Sequence, residues 1–424
     1  QKNRVKAYKM KELIEKLFST TFVKLYSLSL GFVIMFYTLN VLGVEERGEI
    51  AIVLSWSSTL FTALYLSLGQ IAYRRIKDNH LEINTVCSSL LTFTLLVTVF
   101  LIVIIPICYA FFIPNGRVSL LLLYFSCFSV PFLMLEQYFL SLNLVGNNIK
   151  KINSILLISK TISFVIIIFF SNVFSLSVML VVFSITLANV TSGLWFFVDF
   201  KKRNKFIFKF SKVNLISMLK EGASFHIFNA IGFIIYTNGV LLLSPWFISK
   251  FEYGIIDVSL KIVSVYTVIG MAFQTVIMGF FGKEGLRDAW GEFNKVLLLY
   301  IMSFLVIVFA SFFILKPLLS LIISENSELI SSFVVELLPF LILMVTSTFV
   351  PSLFVIFGWY RYSALYNVIL ALVTFFSLIY FMSNQGVTGI VSSLKITYCT
   401  MGLLFVLVYY KARREVLSTK VDGS

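Results

Sequence analysis

Apolar stretches of about 20 residues recur along nearly the whole chain, separated by short polar breaks, and that spacing leaves few folds open. Inside a bilayer no water can satisfy a backbone N–H or C=O. A long apolar run must therefore close its own hydrogen bonds as a helix. Read this way, the sequence predicts spans at 18–42, 50–73, 86–113, 119–143, 154–170, 176–198, 222–243, 255–281, 296–316, 333–357, 363–383 and 387–410. Composition agrees: 59% of the 424 residues are hydrophobic and 13% charged, about half the charged share of an ordinary soluble domain. The expected fold class is all-α, a polytopic membrane protein of about twelve transmembrane helices in two six-helix bundles.

Lys and Arg accumulate in short cytoplasmic loops. The N-terminus, the loops after spans 2, 4, 6, 8 and 10, and the C-terminus hold 26 of the 34 Lys and Arg. The alternate loops hold Arg47, Arg117, Lys250 and Lys316, and four lysines fall inside spans. Both termini are thus expected on the cytoplasmic side. The net charge of +14 follows from this topology. Its basic residues are spread over seven loops and tails, which argues against a nucleic-acid surface. Cys87, Cys108, Cys127 and Cys399 lie in or beside apolar spans without metal-ligand spacing, so they are expected as buried thiols with no metal and no cofactor. Residues 1–17 are Lys-rich, with Met10, Leu13, Ile14 and Leu17 at helical spacing. They are expected to form an interfacial helix and not a cleaved signal.

The longest cytoplasmic break, 199–221, interleaves Lys201, Lys202, Arg203, Lys205, Lys209 and Lys212 with Phe206, Phe208 and Phe210. Such a basic aromatic connector would hug an anionic leaflet. It separates an N-terminal six-helix lobe at 18–198 from a C-terminal lobe at 222–410, followed by a cytoplasmic tail at 411–424. The halves echo one another. Glu46-Arg47-Gly48 matches Glu252-Tyr253-Gly254 at an offset of 206, and the 146–153 turn matches 358–367 at offsets of 212–214. Repeats of even span number share one orientation, with an axis along the membrane normal.

Three stretches carry a family resemblance: Leu42-Gly43-Val44-Glu45-Glu46-Arg47-Gly48, the run from Gln70 to Arg75, and Gly146-Asn147-Asn148-Ile149-Lys150-Lys151-Ile152-Asn153. With them the chain resembles, over essentially its full length, the Wzx-type O-antigen and polysaccharide flippases of the multidrug/oligosaccharidyl-lipid/polysaccharide (MOP) exporter superfamily. The resemblance implies an alternating-access transporter in the bacterial inner membrane. Its passenger would be an undecaprenyl-diphosphate-linked oligosaccharide, carried by two six-helix lobes around a cationic cavity, with a monomer as the default.

A charged side chain at bilayer depth costs roughly 2.5–3.5 kcal/mol or more, so it persists where it meets a cavity or a partner. Lys24 and Lys160 enter from the cytoplasmic side and can also snorkel; Lys261 and Lys395 lie deeper. Fixed ammonium groups on a sheltered path would offset the desolvation of a lipid diphosphate. Arg74, Arg75 and Arg361 at cytoplasmic helix ends could collect it, although topological anchoring explains them as well. Asn229, Tyr236, Asn238, Gln70 and Gln274 could line a sugar path or serve helix packing. Asp257 sits one turn before Lys261, so a neutral pair and an ion-coupling site for H+ or Na+ are both open. Glu136 and Glu336 compete for the coupling role, and His226 reads as structural or interfacial.

The chain lacks a phosphate-cradling Gly-x-x-x-x-Gly-Lys-[Ser/Thr] sequence, which disfavours an ATP-driven pump. A glycan polymerase or ligase would need a large outer loop, and the longest expected here runs only from Lys316 to Ser332. A drug or metabolite antiporter of the same superfamily is the nearest alternative. Four intramembrane lysines would repel its usual cationic substrates.

Overall fold

The computed structural model describes residues 22–23, 25–77, 82–114, 116–145, 149–284, 286–357 and 359–421. The interfacial helix expected at 1–17 and the candidate Lys24 lie outside them. Almost every described residue is helical, and the described residues contain no strand. Ten helices are long and apolar enough to cross a membrane. The spans expected at 222–243 and 255–281 fall in further helical segments.

In chain order, α1 is Leu25–Leu42. The second span consists of α2 (Val44–Tyr65) and α3 (Leu68–Lys77), the third of α4 (Ile83–Phe112). The fourth is α5 (Leu120–Cys127) with α6 (Val130–Val145); α7 (Ile149–Val173) and α8 (Val178–Asn204) follow. Next come α9 (Lys212–Phe233), a π-helical turn (Ile234–Asn238), α10 (Gly239–Leu243) and a short 3-10 turn (Ser244–Trp246). The remainder is α11 (Lys250–Glu284), α12 (Leu286–Ile322), α13 (Ser327–Ser347) with α14 (Val350–Ile356), α15 (Tyr360–Gln385) and α16 (Val387–Val421).

Local chemistry accounts for the boundaries. Gly43, at φ +87°, lets the chain turn before α2, and Glu45 and Glu46 sit in the first turn, where the helix dipole favours negative charge. That second helix therefore begins earlier than its apolar run. Ser119 and Ser177 cap α5 and α8 by accepting from the Leu122 and Leu180 amides at 3.1 and 3.3 Å. Spans 4 and 10, expected as continuous helices, are each broken. In both, a two-residue turn precedes Val-Pro: Phe128-Ser129 before Val130-Pro131, and Thr348-Phe349 before Val350-Pro351. Proline has no N–H for the carbonyl four residues back, so the ladder fails there.

The chain forms two compact units, Gln1–Ile227 and Phe228–Ser424. The first therefore takes in the basic connector and the start of α9. Within each unit the packing follows one scheme. In the first, the fourth span (α5–α6) packs on the second, third and sixth, and α7 packs on α8. In the second, the tenth span (α13–α14) packs on α11, α12 and α16, and α15 packs on α16. The third span of each set is peripheral. Leu95, Leu96, Val99, Ile102 and Val103 on α4 are exposed, as are Leu298, Leu299, Met302, Val306 and Phe309 on α12. Apolar surface on that scale is what a lipid-facing helix presents.

Candidate functional site

The ionisable groups at bilayer depth divide into paired and unpaired sets. In the second unit both lysines have acidic partners. Lys261 Nζ donates to Asp257 Oδ2 at 2.8 Å, one turn away on α11, and Asp257 is only 3% exposed. Lys395 on α16 donates to Glu336 Oε2 on α13 at 2.9 Å and lies 5.9 Å from the centre of the Phe340 ring. Neither lysine is therefore a bare positive charge. Asp257 and Glu336 are likewise held as counter-ions.

The first unit differs. Glu136 on α6 is 7% exposed, and its Oε2 is buried without a hydrogen-bond partner. Lys160 on α7 is half-buried and has no ion-pair partner among the described residues. In sequence, α7 follows α6 after three residues. Glu136 stands nine residues before Val145 and Lys160 eleven after Ile149, placing them roughly 14 and 17 Å along their helices at about 1.5 Å per residue. The α6 stripe that carries Glu136 faces α8. Four residues earlier the Phe132 carbonyl lies against Gly193, and three later the Phe139 ring packs, tilted, on those of Phe197 and Phe200 at centroid distances of 5.3 and 5.0 Å. Next to Lys160, Thr161 meets Tyr26 Oη at 2.9 Å, so a polar seam joins α7 to α1.

At the loop ends, Arg74 forms an ion pair with Glu221. Arg75 is a structural clamp: it donates to Glu221 Oε2 at 2.9 Å, Asn214 Oδ1 at 3.0 Å and Ser217 Oγ at 2.8 Å. Arg361 is exposed. Of the candidate sugar-path residues, Asn238 is buried at the end of the π-helical turn. Gln70 is exposed. The side chains of Asn229, Tyr236 and Gln274 lie outside the described residues.

His226 has a structural post. The second span breaks at Leu66 and Ser67, both left-handed at φ +50° and +52°, a costly conformation for residues with a Cβ. His226 Nε2 lies 2.7 Å from the Thr62 carbonyl, and Nδ1 lies 2.8 Å from Ser67 Oγ. A carbonyl can only accept, so Nε2 carries a proton. Tyr138 Oη donates to the Tyr65 carbonyl at 3.2 Å, and a Cβ on Gly222 would meet the Leu66 carbonyl at 2.8 Å. The break thus has its freed carbonyls filled from two neighbouring helices.

One charged cluster was not singled out from sequence. Asp199, 6% exposed on α8, forms ion pairs with Lys151 and Arg203, and Arg203 also donates to Asn143 at 2.6 Å. The Asp199 to Arg203 spacing of four was legible as a same-face pair. The partners on α6 and α7 were not, because they depend on tertiary packing.

Among known proteins, residues 13–278 match a family described as polysaccharide biosynthesis protein. No curated protein matches by sequence. Several solved structures share the fold. One is a multidrug resistance MATE family transporter of the MOP superfamily in an inward-facing conformation: TM-score 0.67, 14% identity, covering 94% of this chain and 96% of that one. The Vibrio cholerae MATE transporter VcmN, in its bent form, gives TM-score 0.64 at 13% identity, covering 96% of this chain and 98% of that one. A MOP superfamily transporter from Pyrococcus furiosus, described as having a binding pocket of reverse polarity that suggests a different function, gives 0.65 at 14% identity, covering 96% of each chain.

Proposed function

Because the chain belongs to the polysaccharide biosynthesis protein family and folds as MOP-superfamily transporters do, we propose that it flips a lipid-diphosphate-linked oligosaccharide across the bacterial inner membrane. Its termini would be cytoplasmic, transport would run from the cytoplasmic to the periplasmic leaflet, and an ion gradient would drive it. The observation that carries this reading is that ammonium groups persist at bilayer depth in both units, where each is costly unless it serves a partner or a passenger.

Their division into paired and unpaired sets supplies a mechanism. Lys160, without a counter-ion among the described residues, offers the diphosphate a full positive charge. Lys261 and Lys395 can offer theirs only as Asp257 and Glu336 release them. An arriving diphosphate would compete with those carboxylates for the same donors, so binding in the second unit would be coupled to opening of two ion pairs. Glu136, buried and unpaired, has no counter-ion to lose. It is the carboxyl we assign to ion coupling, because it is buried and has no ion-pair partner among the described residues.

The test is a flipping assay in vesicles loaded with an undecaprenyl-diphosphate-linked oligosaccharide. Lys160→Ala should lower the rate at least tenfold, and Glu136→Gln should abolish its response to a pH gradient. Unchanged flipping in both variants would remove Lys160 and Glu136 from these roles, and export of cationic drugs with no flipping would replace this reading with the antiporter.

A further inference from the structure

The connector between α8 and α9 is a fixed element, and its outer surface keeps its charges free. Several other basic groups have acidic partners: Arg74 and Arg75 share Glu221, Lys151 and Arg203 share Asp199, and Lys295 pairs with Glu292. On the connector beyond Arg203, Lys209 has such a partner, Glu82 at 2.6 Å. Lys201, Lys202, Lys205, Lys212 and Lys220 are exposed and make no ion pair among the described residues.

Between those lysines the exposed side chains are large and apolar. Ile207 is 70% exposed, Phe208 57%, Phe210 48% and Val213 80%. In water this surface would be a liability. It is nonetheless held rigidly from behind. The Ile207 amide donates to Asn84 Oδ1 at 3.3 Å, and the Lys209 amide donates to Ser88 Oγ at 2.7 Å. Asn214 donates to Ser89 Oγ at 2.9 Å, and Arg75 clamps Asn214 and Ser217. Phe206 turns inward onto Phe197 at 6.5 Å. The inner side is spent on α3, α4 and α8, and the outer side keeps the free charges and the apolar groups.

We propose that this strap, with the first turns of α9, is a binding site for anionic phospholipid, in which Ile207, Phe208, Phe210 and Val213 enter the acyl boundary while the five unpaired lysines take the headgroup phosphates. Alternation of bulky apolar groups with unpaired cations is the chemistry of an interfacial anchor. A soluble phosphate would satisfy the lysines and leave the phenyl rings in water, so the lipid, and not the free anion, is the ligand. Each lysine is worth roughly a fivefold gain in affinity for an anionic surface. Lys201 and Lys202 sit on the last turn of α8 and Lys212 and Lys220 on α9, and the backbone bonds at Ile207 and Lys209 fix the strap that joins those helices. This site is separate from the groups at bilayer depth and does not depend on what the protein carries.

The experiment compares full-length protein in nanodiscs of phosphatidylcholine with nanodiscs containing about 30% phosphatidylglycerol, reading melting temperature and, by native mass spectrometry, retained phosphatidylglycerol. Wild type should melt several degrees higher in the anionic discs. The increment should shrink between 0.1 M and 1 M salt, as the screening length falls from about 10 to about 3 Å. The variant K201Q/K202Q/K205Q/K212Q/K220Q should lose most of the increment and most of the retained lipid, and F208S/F210S should lose part of each. If the quintuple variant does not fold, K201Q/K202Q and K205Q/K212Q should each lose part. An increment that survives these substitutions, that soluble phosphate reproduces, or that appears with a lipid diphosphate and not with phosphatidylglycerol, overturns the proposal.

Discussion

Gly193 on α8 and Gly402 on α16 hold matching places in the two units, each on the sixth helix of its set and each facing the fourth, but what they meet differs. A Cβ on Gly193 would collide with the backbone of Phe132, its carbonyl oxygen first. A Cβ on Gly402 would meet the Leu343 side chain, Cδ2 at 2.8 Å and Cβ at 3.0 Å. Backbone cannot rotate aside, whereas the Leu343 tip can change rotamer, leaving only the Cβ contact to be relieved by a shift of a few tenths of an ångström. At this pair of positions the first unit has thus been built to the tighter tolerance. The largest expected effect is accordingly that of Gly193→Ala, at the upper end of the overpacking range, about 3 kcal/mol or more. Gly402→Ala should cost about 1 kcal/mol, at the lower end of that range. Thermal melting of both purified variants checks the order, and equal losses would remove the distinction.

The broken fourth spans repeat the contrast. In the first unit the break is stitched from outside: Ser57 on α2 donates to the Ser126 carbonyl at 3.1 Å, Ser126 Oγ returns to the Val53 carbonyl at 3.0 Å, and Thr186 on α8 donates to the Phe125 carbonyl at 3.2 Å. In the second unit, the Thr346 and Ser347 hydroxyls beside the break bond within their own helix. Thr346 reaches the Ile342 and Leu343 carbonyls at 2.9 and 3.0 Å, and Ser347 reaches Met344 at 2.5 Å. The double variant S57A/S126A should cost about 2 kcal/mol, roughly 1 kcal/mol for each buried inter-helix hydrogen bond. T346A should cost under about 0.5 kcal/mol, since its carbonyl partners keep their helical bonds. Similar losses would mean that the two breaks are held in the same way.

These differences explain which features could be read in advance. Apolar length and loop charge are local properties, so the helical class, most of the spans and the Asp257–Lys261 spacing were legible from the residues. The breaks also had a signal, Val130-Pro131 and Val350-Pro351, hidden because proline is tolerated in membrane helices when neighbours fill the freed carbonyl. Ser57 and Thr186, which bond the Ser126 and Phe125 carbonyls beside the first break, are distant in sequence. His226 and Tyr138 at the Leu66–Ser67 break are another such case. Pairing at bilayer depth was half legible: the spacing on one helix announced Asp257 with Lys261, but nothing local joined Glu336 to Lys395 across 59 residues. The solitary state of Glu136 depends on what every neighbouring helix lacks.

The ends of the sixth helices supply a smaller test. Asp199, near the end of α8, is held between Lys151 and Arg203. Lys411, ten residues before the end of α16, instead lies over two rings, 3.2 Å from the centre of Tyr362 and 4.5 Å from that of Trp359. Asp199→Asn should cost about 1–2 kcal/mol, because the carboxylate is buried but both cations are partly exposed and screened. Lys411→Met should cost about 0.5–1 kcal/mol, the range of an exposed cation–π contact. Denaturation in detergent at low and high salt separates them. The Asp199 effect should shrink with salt, and the Lys411 effect should change less.

The smallest expected effect is in pH, and each unit has one surface pair to compare. Lys209 holds the Glu82 carboxyl below its ordinary range by hydrogen bonding and charge, and Lys316 does the same for Glu328. A carboxyl whose folded value is depressed adds stability above its unfolded value, and that stability is lost as pH falls through the folded value. Both pairs should therefore be intact at neutral pH and fail only below the usual carboxylate range. Their consequences differ, because Lys209 belongs to the strap and Glu82 sits just before α4, whereas Lys316–Glu328 only bridges the ends of α12 and α13. On acidification in phosphatidylcholine nanodiscs, hydrogen exchange at 206–211 should rise in wild type. In Glu82→Gln it should already be raised at neutral pH, while Glu328→Gln should leave that segment unchanged. Strap exchange that ignores Glu82→Gln would show the backbone bonds to Asn84 and Ser88 to be sufficient without the ion pair.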